Sequence, residues 1–104
     1  MTGVRWQHEV RIMRRAFPGF EPFLDSSKAG FAGQITGGSG RIYSVTIRTR
    51  LDRYPFEAPT ILIEPVVGPY VFFGALSVCH RWRPERSMFA LQAAYAASYL
   101  HLYG

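Results

Sequence analysis

The sequence is poor in residues that cross-link a small protein or anchor it in a membrane. Its one cysteine, Cys79, excludes an internal disulfide and a CxxC motif. No apolar run in the sequence approaches the roughly 18 residues of a membrane span. The N-terminal residues lack the apolar core of a secretion signal. We therefore expect a protein of the reducing cytoplasm.

Charged residues are also scarce. They make up 18% of the chain, against about 25% in typical globular proteins, and hydrophobic residues make up 48%. This composition excludes a disordered chain. The length of 104 residues predicts one domain, residues 1–104, that folds without a metal or disulfide. We expect no cofactor, and no metal site either, because His8, His80 and His101 lack the spacing of metal ligands.

Among the charged residues, positive charge dominates. The chain has 12 Lys and Arg residues against 7 Asp and Glu, for a net charge of +5, and all but one of the basic residues are arginine. Such a surface either attracts an acidic partner or is simply solvated. The arginines are scattered and form no RNP-like or zinc-finger pattern, so the sequence favours a protein partner over nucleic acid.

Hydrophobic periodicity predicts an N-terminal helix over residues 3–17, ended by Pro18 and Gly19. Its apolar stripe is formed by Trp6, Val10, Met13 and Phe17. Its opposite, basic face carries Arg11, Arg14 and Arg15. The two faces are typical of a helix that packs on a core with one side and meets solvent or a partner with the other.

Four strands are predicted next, over residues 20–24, 31–36, 41–51 and 60–64. Pro22 favours an edge position for the first of them. Residues 37–40, with the sequence Gly-Gly-Ser-Gly, predict a hairpin between the second and third. Because the connections are short, we expect the strands to pair antiparallel as a meander.

The last third of the chain predicts a loop and a helix. Residues 65–86 lack periodicity and predict a long, partly extended loop, a kind of segment that is often functional. A helix is predicted over residues 88–102, with Ser87 as its N-cap. Its main apolar stripe is Met88, Leu91, Tyr95, Tyr99 and Leu102. Phe89 and Leu100 lie off this stripe, so we expect a helix that is either buried or covered by something else, such as a partner or a second copy of the chain. Helix, four-stranded antiparallel meander, long loop and helix together define an α+β fold class.

Several motifs resemble those of the ubiquitin-conjugating enzymes. Residues 54–59, Tyr-Pro-Phe-Glu-Ala-Pro, resemble the family signature Tyr-Pro-Phe-x-x-Pro, which lies between the third and fourth strands. Residues 68–70, Gly-Pro-Tyr, lie near the position of the family's His-Pro-Asn motif, and Cys79 lies near that of its active-site cysteine. Residues 82–84, Trp-Arg-Pro, resemble its Trp-x-Pro motif. The order of these landmarks implies a compact, bacterial-type ubiquitin-conjugating-like domain.

The chain also departs from the family pattern. It contains no asparagine, so the residue usually given a structural or oxyanion role is missing. Only two residues separate Cys79 from Trp82, fewer than in the family, and the family's final helices are absent. Known bacterial relatives are trimmed in a similar way.

The resemblance implies a catalytic role for residues of the long loop. Cys79 would accept a ubiquitin-like protein from an activating enzyme as a thioester and pass it to an amine. Arg81 and Arg83 are close in sequence and would favour the thiolate. His80 is a candidate general base. Tyr70, His80 and the backbone amides of the loop are candidates to replace the missing asparagine as hydrogen-bond donors to the oxyanion.

The resemblance also implies partners. The basic face formed by Arg11, Arg14 and Arg15 resembles the surface that conjugating enzymes present to the activating enzyme. Bacterial relatives accompany an activating enzyme and a JAB-type peptidase in antiviral defence operons. These features predict a bacterial, cytoplasmic transferase of a conjugation system, with no membrane partner.

Each of these residues has a structural alternative. A lone cysteine is often a small buried apolar residue. His80 would then stabilise the loop, Tyr70 would fill it as an aromatic plug, and the basic face of the first helix would be solvated. The Tyr-Pro segment also occurs in RWD domains, which share the fold and lack catalysis. The alternative function is therefore a non-catalytic, protein-binding module of this fold.

Overall fold

The computed structural model describes most of the chain. The described residues are 3–65, 71–72, 75–76, 82–83, 85 and 88–104. The predicted catalytic residues Tyr70, Cys79 and His80 lie outside the described residues, as does Ser87.

The described residues form two helices and six strands. Their bounds are α1 Gly3–Ala16, β1 Glu21–Leu24, β2 Lys28–Thr36, β3 Ile42–Arg50, β4 Thr60–Glu64, β5 Val71–Phe72, β6 Ala75–Leu76 and α2 Phe89–Tyr103. The predicted α+β class, with a helix at each end of a four-stranded meander, is confirmed. Neither helix is long and apolar enough to cross a membrane, judged on the described residues.

All six strands belong to one antiparallel sheet, in the order β1-β2-β3-β4-β6-β5. As Pro22 predicts, β1 is an edge strand. Part of the predicted loop is instead a short hairpin, which joins the sheet where Ala75 pairs with Leu62. Periodicity does not reveal β5 and β6, because two residues are too few to alternate.

The core lies between one face of the sheet and the two helices. Alternate residues of β3, from Tyr43 to Thr49, are buried, because successive side chains of a strand point to opposite faces of the sheet. Phe31 of β2 contacts both helices: its ring centroid lies 5.2 Å from that of Trp6 and 5.2 Å from that of Phe89. Both helices therefore pack on the same face of the sheet, and the apolar stripe of α1 is confirmed, with Met13 fully buried.

The main apolar stripe predicted for α2 coincides only in part with its buried side. The buried residues of this helix are Phe89, Gln92, Ala93, Ala96, Tyr99 and Leu100. Leu91 is 37% exposed and Leu102 is 74% exposed, whereas Tyr99 is buried and Met88 and Tyr95 are partly buried, so two of the five predicted stripe residues face solvent. Because the helix is apolar nearly all round, its periodicity does not select a face. The small side chains of Ala93 and Ala96 select it instead, since they let the helix lie close to the sheet.

The predicted N-cap of α2 is wrong. The N-cap position is Met88, which has an extended backbone and no capping side chain. The amide of Phe89 donates instead to Oε1 of Glu9, at 3.1 Å. An unpaired amide at the start of a helix is satisfied here by a carboxylate from another helix, which no local cap pattern predicts.

The β2–β3 hairpin holds the other end of α2. The amide of Gly38 donates to the Leu100 carbonyl oxygen at 3.0 Å, and the amide of Ser39 donates to that of Gly104 at 3.3 Å. The Leu100 carbonyl also accepts the C-cap amide of Gly104 at 2.9 Å, so the hairpin adds further hydrogen bonds to carbonyl groups at the end of the helix. At Gly38 an added Cβ would collide with the carbonyl oxygen of His101. The glycine-rich hairpin is therefore a packing contact as well as a turn.

We expect Gly38→Ala to lower the free energy of unfolding by about 1–3 kcal/mol, because the added methyl group overpacks a backbone contact. Chemical denaturation followed by tryptophan fluorescence measures this loss. Gly19→Ala is the matched control, since a Cβ at Gly19 meets nothing within 4 Å. Equal stability of the two variants would contradict the close approach of hairpin and helix.

Candidate functional site

The turn between β3 and β4 carries the Tyr-Pro-Phe segment. The amides of Arg53 and Tyr54 both donate to the carbonyl oxygen of Arg50 at 3.0 Å. The Tyr54–Pro55 peptide bond is cis. The Tyr54 side chain enters the core, where its ring stacks on Phe89 with a centroid distance of 5.8 Å. The turn thus brings a phenol to the start of α2.

A buried hydrogen-bond network surrounds this phenol. The Tyr54 hydroxyl donates to Oε2 of Glu9 at 2.6 Å and accepts from Nε of Arg5 at 2.8 Å. The other oxygen of Glu9 accepts the Phe89 amide. One carboxylate, 1% exposed, therefore joins α1, the turn after β3 and the first residue of α2.

Burial controls the ionisation of both acidic groups in this network. It raises the pKa of Glu9 above the ordinary value of 4.5, against the opposing effects of the hydrogen bonds from Tyr54 and Phe89 and of the positive charge of Arg5. Burial also raises the pKa of the Tyr54 phenol, and the hydrogen bond to Glu9 raises it further. The phenol therefore remains a hydrogen-bond donor to the carboxylate.

The raised pKa of Glu9 predicts a pH-dependent stability. The folded chain binds this proton more tightly than the unfolded chain does. The resulting stabilisation is fully present below pH 4.5 and is lost as pH rises through the raised pKa. We expect the difference in unfolding free energy between wild type and Glu9→Gln to grow as pH falls from 7 to 4.5.

Denaturation curves of both proteins at several pH values measure this difference. Titratable groups that both proteins share contribute equally to the two unfolding free energies, so their contributions cancel in the difference. Asp25 does not interfere. Its pKa is lowered by hydrogen bonds from the Ser27 and Lys28 amides, so its contribution is lost only as pH falls below 3.8. A difference that stays constant between pH 7 and 4.5 would contradict the desolvated state of Glu9.

A second contact joins the turn to the end of the long loop. Nε1 of Trp82 donates to the carbonyl oxygen of Pro55 at 2.5 Å, and the indole packs against the core. Trp82 and Pro55 belong to the two segments that resemble the Trp-x-Pro and Tyr-Pro-Phe motifs. The chain beyond the loop is therefore held directly on the Tyr-Pro turn.

The basic face of α1 is exposed, as predicted: Arg11, Arg14 and Arg15 all face solvent. Two of these arginines border a shallow groove lined by Trp6, Gln7, Val10, Arg11 and Arg14. The groove has an apolar floor, because Trp6 and Val10 are only partly covered by the core. A surface with an apolar floor and a cationic rim suits an acidic, partly apolar protein segment.

Sequence reasoning did not identify Glu9, although a signal was available. Glu9 lies three residues after Trp6 and four before Met13, and therefore on the apolar stripe of α1. A carboxylate on a buried stripe needs hydrogen-bond donors. The pattern predicts that Glu9 has partners in the core, but Tyr54 and Phe89 are distant in sequence and are identified only by the fold.

No protein-family model matches the chain, and comparisons with curated proteins and with solved structures give no significant match. Within the described part of the chain, no three or more His, Cys, Asp or Glu residues are grouped as a metal site would require. Any proposal about function therefore rests on the contacts around Tyr54, Glu9 and Trp82 and on the exposed face of α1.

Proposed function

We propose that the protein is a ubiquitin-conjugating-like carrier. In this proposal Cys79 accepts the C-terminal acyl group of a ubiquitin-like protein from an activating enzyme and passes it to an amine. The resemblance that suggests this role also suggests a bacterial defence system that includes a JAB-type peptidase. The fold supports the proposal in one respect, since an N-terminal helix, an antiparallel meander and a final helix occur in the implied order.

The hydrogen bond between Trp82 and Pro55 is the observation that carries the proposal. The two residues are 27 positions apart, yet the motifs that contain them are in direct contact. The Tyr-Pro turn lies between β3 and β4, where the resemblance implies it. Cys79 precedes Trp82 by three residues, and an extended chain of that length spans at most about 11 Å. The proposal therefore puts the reacting thiol beside the turn.

The proposed reaction has two acyl-transfer steps. In the first, the Cys79 thiolate attacks the thioester carbonyl on the activating enzyme, a new carbon–sulfur bond forms, and the enzyme's own thiolate leaves. In the second, an amine attacks the Cys79 thioester, a carbon–nitrogen bond forms, and the Cys79 thiolate leaves. The amine loses a proton, for which His80 is the candidate acceptor, and Tyr70 is the candidate donor to the oxyanion.

The basic face of α1 is the proposed contact for the activating enzyme. Its three arginines are exposed, and its groove offers an apolar floor beside Arg11 and Arg14. Opposite charge on a partner speeds encounter and sets orientation, while the apolar floor provides area to bury. In this proposal the face acts in the first step, when the acyl group is received.

A non-catalytic binding module is the second candidate. The observation in its favour is the amount of exposed apolar surface: Phe56 is 81% exposed, and Leu102 on the outer side of α2 is 74% exposed. Large apolar side chains in contact with water often mark interaction surfaces. Such a module uses the same fold to bind a protein partner, or a second copy of the chain through α2, and needs no reactive thiol.

A thioester assay separates the two candidates. The full chain is incubated with an activating enzyme, its ubiquitin-like protein and ATP, and the products are separated with and without a reducing thiol. The carrier is expected to form an adduct that the thiol removes. If the activating enzyme forms its own thioester and binds the chain, yet no adduct appears, the binding module is correct and the carrier is not.

A further inference from the structure

Three cations lie together at one end of the sheet. Lys28 of β2 pairs directly with Arg50 of β3, and Arg48 of β3 pairs with Thr60 of β4. Residues paired across an antiparallel ladder share a face, and so do residues two apart on one strand. All four side chains are therefore on the outer face of the sheet, opposite the buried Ile47.

These side chains border a pocket of about 160 Å³. Its lining residues are Lys28, Arg48, Thr49, Arg50, Glu57, Ala58 and Thr60. Three cations and one carboxylate leave the lining with a net charge of +2. Like charges directly opposite each other, as Lys28 and Arg50 are, destabilise a sheet. The arrangement therefore has a cost that a bound anion would remove.

The nearby carboxylates neutralise this cluster only in part. Glu57 pairs with Arg53 at 3.5 Å, and Asp52 pairs with Arg50 at 3.2 Å. Both pairs are exposed, and such pairs are weak. Among the described residues, Arg48 has no ion-pair partner. Its guanidinium is therefore available to an external anion.

We propose that this pocket binds the phosphoryl group of a phosphomonoester. A phosphate dianion matches the net charge of the lining, and its oxygens accept hydrogen bonds from two guanidinium groups, one ammonium group and the Thr60 hydroxyl. A carboxylate offers fewer acceptor oxygens and half the charge. The volume is sufficient for a phosphoryl group. The site involves only residues 28–60, so it is independent of Cys79 and of the proposed carrier function.

Nuclear magnetic resonance titration of the ¹⁵N-labelled full chain with inorganic phosphate tests the site. Sodium chloride keeps the ionic strength constant. Saturable shifts are expected at the amides of Lys28, Arg48 and Thr60. Arg48→Gln is expected to weaken binding about tenfold, as the loss of one charge-assisted hydrogen bond predicts. Shifts that chloride alone reproduces, or that never saturate, would overturn the proposal.

Arg41→Gln is the matched control, because it removes the same charge from the residue that directly precedes the other end of β3. We expect it to leave phosphate binding unchanged. If it weakens binding as much as Arg48→Gln does, the effect belongs to the overall charge of the protein and the site is refuted. Both substitutions are on exposed positions, and an otherwise unchanged spectrum verifies that each variant is folded.

Two phosphomonoesters distinguish the sources of the phosphoryl group. O-phospho-L-serine represents a modified protein side chain, and AMP represents a nucleotide. Binding of either ester at the same amides supports the proposal, and the tighter one identifies the class of ligand. Binding of inorganic phosphate together with failure of both esters would overturn the assignment to a phosphomonoester.

Discussion

Replacement of Cys79 by alanine is expected to abolish the thiol-labile adduct completely. The chain has no second thiol to receive the acyl group, so the proposed chemistry has no other acceptor of this kind. Cys79→Ser is expected to form an adduct that resists reducing thiols, because an oxyester replaces the thioester. The two variants are compared with wild type in the assay that contains the activating enzyme, the ubiquitin-like protein and ATP.

Alkylation of the wild-type chain provides the control for this experiment. Iodoacetamide reacts preferentially with thiols, and Cys79 is the sole cysteine, so a limited amount of reagent blocks this residue without a substitution in the sequence. The alkylated protein is expected to behave like the alanine variant. An adduct that persists in Cys79→Ala would place the acyl group elsewhere and would exclude Cys79 as the carrier.

Glu9→Ala has the largest expected effect on stability. It leaves the Phe89 amide and the Tyr54 hydroxyl without their shared acceptor. An unsatisfied buried donor costs about 1–3 kcal/mol, so the two together cost about 2–6 kcal/mol. Domains of this size are stable by only about 5–15 kcal/mol. Chemical denaturation at pH 7 is expected to show a large fall in the midpoint.

Glu21→Ala is the matched control for this loss, because Glu21 is exposed on β1 and its removal is expected to change stability by about 0.5 kcal/mol or less. Tyr54→Phe provides a second check. The double variant Glu9→Ala/Tyr54→Phe lacks the hydroxyl that Glu9 accepts from. The loss of unfolding free energy caused by Glu9→Ala is therefore expected to be smaller in the Tyr54→Phe background than in wild type. If Glu9→Ala is as stable as Glu21→Ala, the carboxylate does not cap α2.

The Glu9 network and the Trp82 contact bear on function because they lie at the two ends of the same segment. Trp82 is fixed on the Tyr-Pro turn, and Phe89, seven residues later, is fixed on Glu9. In the proposed carrier, these contacts anchor the chain that follows the reacting cysteine. Tyr54 and Glu9 therefore fix the backbone at the start of α2.

Local pattern was sufficient for most of the secondary structure. The apolar stripe of α1, the alternation along β3 and the bounds of β4 are properties of consecutive residues, and the structure agrees with them. β2 begins at Lys28, three residues before its predicted start, because Ala29 and Gly30 pair with β3 although neither has a high strand propensity. Pairing with a neighbouring strand outweighed local preference there.

The sequence by itself therefore determined the α+β class, the order of the two helices and of strands β1 to β4, the outward face of α1 and the fact that only Cys79 can serve as a thiol acceptor. These follow from short-range periodicity and from composition. Tertiary structure alone decided which side of α2 is buried, that Glu9 caps it, that Trp82 is bound to Pro55, and that Lys28 lies beside Arg50 and Arg48. Each of these contacts joins residues from different elements, and their geometry depends on how the helices pack and in which register the strands pair, which no local pattern encodes.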